Sequence, residues 1–365
     1  MTLRLSAAAA AAAAAALLAS APAAAQQSRW AAQIRQSDVT FPSFRFRDGE
    51  SLPGLRIHYA TLGTPRTDAA GNVVNAVMIL HGTGGTGLQF LAPQFADELY
   101  GPGQPLDLAR YFIILPDGIG HGKSSKPSDG LRMHFPKYDY DDMVEAQRQL
   151  LERLRVKRLR LLLGTSMGCM HGFVWGTTHP QMVQAMMPLA CLPVELAGQN
   201  RMWRRAAIEG IESDPAWAGG NYTAEPVQGL RTAVTALTMV GFAPYYLQKT
   251  YPTRQAADAY VVKRIADDIA TRDANDLVYQ LDASRNYNPW PLLDRMTVPT
   301  TWINSSDDLI NPPGYGIAEA AARRLRNGSF ILIPASSETR GHGTHTWAKF
   351  WKQHLVALLA RTEGR

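Results

Sequence analysis

The run Leu159-Arg160-Leu161-Leu162-Leu163 passes without a linker into Gly164-Thr165-Ser166-Met167-Gly168, and then into the helix-compatible stretch Met170 to Trp175. A strand, a tight turn and a helix in immediate succession constrain the fold strongly. The backbone must reverse within a few residues, and Gly164 and Gly168 allow the helix to lie close against the strand. A turn of that kind carries Ser166 into the open above a sheet.

Other short apolar runs share the pattern of Leu159 to Leu163: Ala76 to Leu80, Tyr111 to Leu115, Met186 to Ala190, Thr300 to Ile303 and Phe330 to Ile333. Helical patterns follow them, and strands alternating with helices imply a mostly parallel sheet covered on both faces. The clearest helix spans about Asp141 to Arg155, with Met143, Leu150, Leu151 and Leu154 on one face. Between Pro193 and Asn288 the strand signals stop, which predicts a helical cap inserted between two strands. The chain closes with a predicted helix from Thr346 to about Leu359.

Residues 1–25 read as a secretory signal peptide: Arg4, an alanine-rich apolar stretch through Leu17 and Leu18, then Ala23-Ala24-Ala25 before Gln26. The expected organisation is thus a leader at 1–25, a first core part at 26–192, the cap at 193–288 and a second core part at 289–365. The product would be periplasmic or secreted, with no stable membrane insertion, since no stretch has the apolar length of a spanning helix. Cys169 and Cys191, the only cysteines, allow at most one disulfide. Cys169 reads as a packed thiol beside the turn. Removing Arg4 lowers the formal charge of +6 by one, and the densest basic run, Arg153 to Arg160, has no interleaved aromatics, which argues against a nucleic-acid partner.

A serine hydroxyl is a poor nucleophile until a histidine, itself held by a carboxylate, takes its proton. Acidic and histidine loops follow Ser166 in that order. Ser305-Ser306-Asp307-Asp308-Leu309-Ile310-Asn311-Pro312 comes after the Thr300 strand, and Arg340-Gly341-His342-Gly343-Thr344-His345 after the Phe330 strand. Each doublet leaves a choice, Asp307 or Asp308 and His342 or His345. The two histidines lack a clear third ligand for a metal. Acyl transfer also needs N–H donors for the developing oxyanion. One would come from the backbone of Met167 and the other from Thr83, in the glycine-rich loop His81-Gly82-Thr83-Gly84-Gly85.

Two glycine motifs invite a nucleotide reading. Gly82 to Gly87 fits Gly-x-Gly-x-x-Gly, but no acidic residue follows at the end of a second strand. Gly118-Ile119-Gly120-His121-Gly122-Lys123-Ser124 approaches a phosphate loop, but Asp117 stands where its first glycine should be. Neither supports a cofactor.

Together these features define an α/β-hydrolase fold with an inserted helical cap. Within it the chain resembles the homoserine O-acetyltransferase-like branch, along Leu55 to His81, Phe135-Pro136 through Asp142, Gln147 to Gly168, Arg205 to Tyr222 with Asp214-Pro215-Ala216-Trp217, and the Asp and His loops. The resemblance implies the triad Ser166, Asp308 and His342, with oxyanion donors at Thr83 and Met167. It also implies a substrate-binding arginine in the cap, matched by Arg205. The relatives include homodimers, so self-association is among its implications. The relatives place an aspartate directly after the catalytic histidine, where this chain has Gly343, and a substrate ammonium would lose its partner there. The expectation is therefore an exported esterase acting on a small-molecule ester, with Trp203, Phe242, Tyr245 and Tyr246 around an acyl or alcohol pocket. O-acyl transfer of the homoserine type is the alternative.

Overall fold

The computed structural model describes residues 29–364. The expected leader at 1–25 lies outside the described residues. Eight strands form one sheet: β1 (Arg35–Arg45), β2 (Ser51–Leu62), β3 (Ala76–Leu80), β4 (Phe112–Pro116), β5 (Leu161–Thr165), β6 (Met186–Leu189), β7 (Thr300–Ser305) and β8 (Gly328–Ile333). Their spatial order is β1-β2-β4-β3-β5-β6-β7-β8. From β4 to β8 every neighbour is parallel, while β1–β2 and β2–β4 are antiparallel. The six apolar runs read from the sequence all become strands. The β1–β2 hairpin was not among them, because β1 is an edge strand with most side chains in solvent and carries no continuous apolar run.

Helices α1 (Pro93–Leu99), α2 (Tyr140–Arg153), α3 (Met167–Thr178), α9 (Ile317–Ala322) and α10 (Lys352–Arg361) accompany the sheet, and α4 (Gly198–Glu212), α5 (Val227–Val240), α6 (Pro244–Thr250), α7 (Arg254–Ile269) and α8 (Ala274–Asp282) lie between β6 and β7. The start of α2 is set by Asp139, whose carboxylate accepts from the Asp142 N–H while Asp142 returns the bond to the Asp139 N–H, a reciprocal cap. The closing helix begins later than the sequence pattern predicts. Residues Gly341–Thr346 and Ala348–Phe350 wind as 3-10 turns instead, shaped by the histidine loop they contain.

Two apolar layers sandwich the sheet. One contains Met78, Leu162, Phe173, Trp175 and Trp302, the other Val77, Leu163, Phe95, Trp351 and Leu355. Alternate residues of each strand enter opposite layers, as the pleat requires. A third cluster, with Trp203, Ile208, Ile211, Leu230 and Leu277, is the cap's own core.

The packed-thiol expectation for Cys169 is overturned: Cys169 and Cys191 form a disulfide, with Cα atoms 5.8 Å apart. Cys169 lies in the first turn of α3, just beyond β5, and Cys191 just past the end of the adjacent parallel strand β6. The 22-residue separation in sequence conceals that proximity.

Candidate active site

Ser166 sits between β5 and α3 with φ 54° and ψ −112°, a conformation that costs a non-glycine residue on the order of 1–3 kcal/mol. The flanking glycines are required by contact. A Cβ on Gly164 would strike the Gly168 carbonyl, and one on Gly168 would strike the Leu80 carbonyl. The Ser166 N–H donates to the Leu189 carbonyl at 2.8 Å, which fixes the turn against β6.

The structure brings Ser166, His342 and Asp308 together. His342 Nε2 lies 2.8 Å from Ser166 Oγ, and its Nδ1 lies 2.9 Å from Asp308 Oδ2. Asp308 is 1% exposed. Its Oδ1 accepts from the Ile310 and Asn311 N–H groups at 2.8 and 3.1 Å, and Oδ2 also accepts from Asn311 Nδ2 at 3.1 Å. Burial pushes this carboxyl up, but His342 and the Asn311 bonds outweigh it and hold it below the usual range. Asp308 therefore stays ionised and orients the imidazole.

Asp307 has a different task. Its Oδ2 accepts from Thr339 Oγ1 at 2.7 Å and from the Gly341 N–H at 3.1 Å, and its Oδ1 accepts from Ser305 Oγ. It ties the end of β7 to the loop that delivers His342. The other histidine of the doublet, His345, packs edge-on against His342 with ring centroids 5.1 Å apart. Burial drives its pKa down to about 3, so it remains neutral.

The glycine-rich loop after β3 lies directly on the nucleophile: a Cβ on Gly82 would be 3.1 Å from Ser166 Cβ. Thr83 follows it, with a buried Oγ1 that has no partner among the described residues. Met167 opens α3, where unpaired N–H groups and the helix dipole favour negative charge. His81, whose role the sequence reading missed, braces this loop. Its Nδ1 contacts the Gly82 carbonyl at 2.9 Å and its Nε2 faces the Gly118 N–H at 2.9 Å. The first contact requires a proton on Nδ1 and the second an acceptor at Nε2, which is the neutral ring. Burial lowers the pKa of His81 and favours that form.

Arg205 does not join these residues. It is half-exposed on α4 and held by Glu209 and, at 3.0 Å, by Glu212. The helix turns Trp203, Arg204, Ala207, Ile208 and Ile211 inward and leaves Arg205 on the other face. Arg204 is the buried member of the pair, bonded through Nε to Asn200 Oδ1 at 2.9 Å and stacked over Trp203. The proposed pocket aromatics also separate. Trp203 belongs to the cap core, Tyr245 is exposed, and Tyr246 lies under the Arg340 guanidinium at 3.6 Å. Phe242 keeps contact with the site loop, its carbonyl lying 2.7 Å from where a Gly341 Cβ would be.

The two glycine motifs are tied together by Asp117. Its Oδ1 accepts from the Gly87 N–H at 2.8 Å and its Oδ2 from the Lys123 N–H at 2.9 Å. A carboxylate of the protein thus occupies donors that a phosphate loop would offer to a nucleotide. Among the described residues no set of three His, Cys, Asp or Glu side chains converges as a metal site, and no helix is long and apolar enough to cross a membrane.

A strained serine above a parallel sheet, with His and Asp delivered by later strands, defines a serine-dependent enzyme class. Residues 75–338 match the family model described as "alpha/beta hydrolase fold". The homoserine O-acetyltransferase of Moorella thermoacetica is 39% identical over 208 residues, 51% of this chain and 53% of that enzyme. That of Corynebacterium jeikeium is 30% identical over 322 residues, 79% of this chain and 80% of that enzyme. The match to the first of these, like that to the Thermobifida fusca enzyme, spans about half the relative's length. Among solved structures, the homoserine O-acetyltransferase from Bacillus anthracis superimposes with a TM-score of 0.78 at 21% identity, covering 90% of this chain and 98% of that one. Esterase E22 superimposes with a TM-score of 0.77 at 20% identity, covering 89% and 100%. The chain belongs to the α/β-hydrolase family, in its homoserine O-acetyltransferase-like branch.

Proposed function

We propose that this protein is an exported esterase that cleaves a carboxylic ester through an acyl-Ser166 intermediate. The observation that carries the reading is the continuous relay from Asp308 through His342 to Ser166 Oγ. Ser166 Oγ attacks the ester carbonyl while His342 Nε2 takes its proton. The carbonyl oxygen becomes an oxyanion facing the N–H groups of Met167 and Thr83. The carbon–oxygen bond to the alcohol then breaks, and the alcohol leaves with the proton from His342. Water enters, gives a proton to His342 and attacks the acyl carbon; release of the acid returns the proton to Ser166.

Water is favoured as acceptor by two features. Arg205 is turned away and neutralised by Glu209 and Glu212, and Gly343 supplies no carboxylate beside His342 to pair with an ammonium. Export is supported by the buried Cys169–Cys191 disulfide, a bond that persists in oxidising compartments.

O-acyl transfer is the second reading, and the relatives favour it: the curated relatives from Moorella thermoacetica and Corynebacterium jeikeium carry the name homoserine O-acetyltransferase. The two readings separate in one assay. Short-chain acetyl esters are incubated with and without homoserine or simple alcohols, and free acid is measured against O-acyl product. The esterase reading expects free acid as the dominant product at every acceptor concentration. Acyl product outpacing free acid would establish transfer instead.

A further inference from the structure

The two glycine motifs that fail as nucleotide sites face one another across a cavity of about 220 Å³, lined by Gly84, Thr86, Gly120, Lys126 and Arg272 and by the acidic start of α8. Its size is below the roughly 300–1,000 Å³ of sites for drug-sized ligands. Arg272 enters from the cap and lies over the loop at Gly84. A Cβ there would stand 2.7 Å from its Nη1, and Gly84 has φ +71°, so only glycine admits the guanidinium so closely.

Among the described residues this guanidinium has no ion-pair partner. Its Nε is buried with no hydrogen-bond partner among the described residues. The carboxylate whose charge acts on it, Asp268, is itself paired with Arg264 at 3.0 Å. The cavity's other charges are already engaged. Asp276 accepts from the Ser128 N–H and Oγ at 2.9 and 2.7 Å, Asp273 Oδ1 accepts from the Asp276 N–H at 2.9 Å, and Lys126 pairs with Asp129 at 3.0 Å. A part-buried cation without a partner is costly unless something else neutralises it.

We propose that this cavity binds a small oxyanion, a carboxylate or phosphate group, held by the Arg272 fork against the Gly84 and Gly120 loops. A planar guanidinium presents paired donors matched to such a group. The site is separate in composition from Ser166, Asp308 and His342, and it stands whether the enzyme is an esterase or a transferase. Since the same loop touches Ser166 at Gly82, the anion could be free in solution or be part of the ester.

The test is titration calorimetry and thermal unfolding of the whole protein with inorganic phosphate and with malonate at constant ionic strength. The variants are Arg272→Gln, Arg272→Lys and Ser166→Ala. Saturable binding is expected in wild type and in Ser166→Ala, at least tenfold weaker in Arg272→Gln and intermediate in Arg272→Lys, which keeps the charge but loses the fork. In anion-free buffer Arg272→Gln should melt at or above the wild-type temperature, because an uncompensated charge has been removed. Competitive inhibition of ester turnover by the anion would assign the site to the ester's own anionic group, and binding without competition to a free anion. The proposal is overturned if wild type shows no saturable response to either anion, or if Arg272→Gln binds as well as wild type.

Discussion

At the scale of the residue, the two aspartates of the doublet do different work, and their partners say which. Asp308 faces His342 Nδ1, whereas Asp307 holds Thr339 and the Gly341 N–H. Asp308→Asn should lower kcat by about 10⁴, the scale of losing the tautomer-setting carboxylate of a triad. Asp307→Asn should cost far less in kcat but lower the melting temperature, since a buried acceptor of several bonds is replaced. Steady-state kinetics and thermal unfolding of both variants check this; equal losses of kcat would remove the distinction. Ser166 and the doublets were legible because the chemistry demands those residue types in that order. The choice of Asp308 and His342 within the doublets came from the family resemblance, because close neighbours in a loop are aimed by backbone conformation that the residue types alone do not reveal. The outward position of Arg205 was legible in its helix: Arg204, not Arg205, shares a face with Ala207, Ile208 and Ile211, at spacings of three, four and seven.

At the scale of the element, the inner strands β3, β4, β5 and β6 were legible because each is buried on both faces and is largely apolar. The β1–β2 hairpin and the disulfide were not, one because its buried residues Phe41, Phe44, Leu55 and Ile57 are interspersed with polar ones rather than forming a continuous apolar run, the other because it depends on which strands become neighbours. The disulfide closes a 22-residue loop from α3 back to the end of β6. The double variant Cys169→Ala/Cys191→Ala should lose about 3 kcal/mol, the loop-closure entropy for that length, in denaturant unfolding. A loss well under 1 kcal/mol would mean that the bond adds no constraint. Gly168→Ala should be more damaging, because its Cβ has no room beside the Leu80 carbonyl and α3 would be driven from β3. Little or no folded protein is expected on expression; a folded, active variant would contradict the close helix–strand contact.

At the scale of the whole molecule, the cap is joined to the core through α8 and the segment after it. Asp276 binds Ser128, Gln280 Nε2 donates to the Gly120 carbonyl at 2.8 Å, and Arg285 donates to the Tyr138 carbonyl at 2.9 Å. Beside this joint, Glu225 accepts from the Ala274 N–H, and burial followed by the nearby Asp273 raises its pKa to about 7. A raised carboxyl stabilises the fold fully below its unfolded pKa near 4.5, and that contribution is lost as pH rises through the folded value. Wild-type stability should therefore fall between about pH 4.5 and 7 relative to Glu225→Gln, which should melt higher at pH 8. Parallel melting curves of the two proteins against pH would contradict this coupling. The central claim is that Ser166 is the nucleophile, and covalent labelling tests it most directly. Intact-mass and peptide analysis after exposure to a fluorophosphonate should find one adduct per chain, on the peptide carrying Ser166. The adduct should be absent from Ser166→Ala and form slowly in His342→Ala. An unlabelled wild type, or equal labelling of Ser166→Ala, would contradict the account.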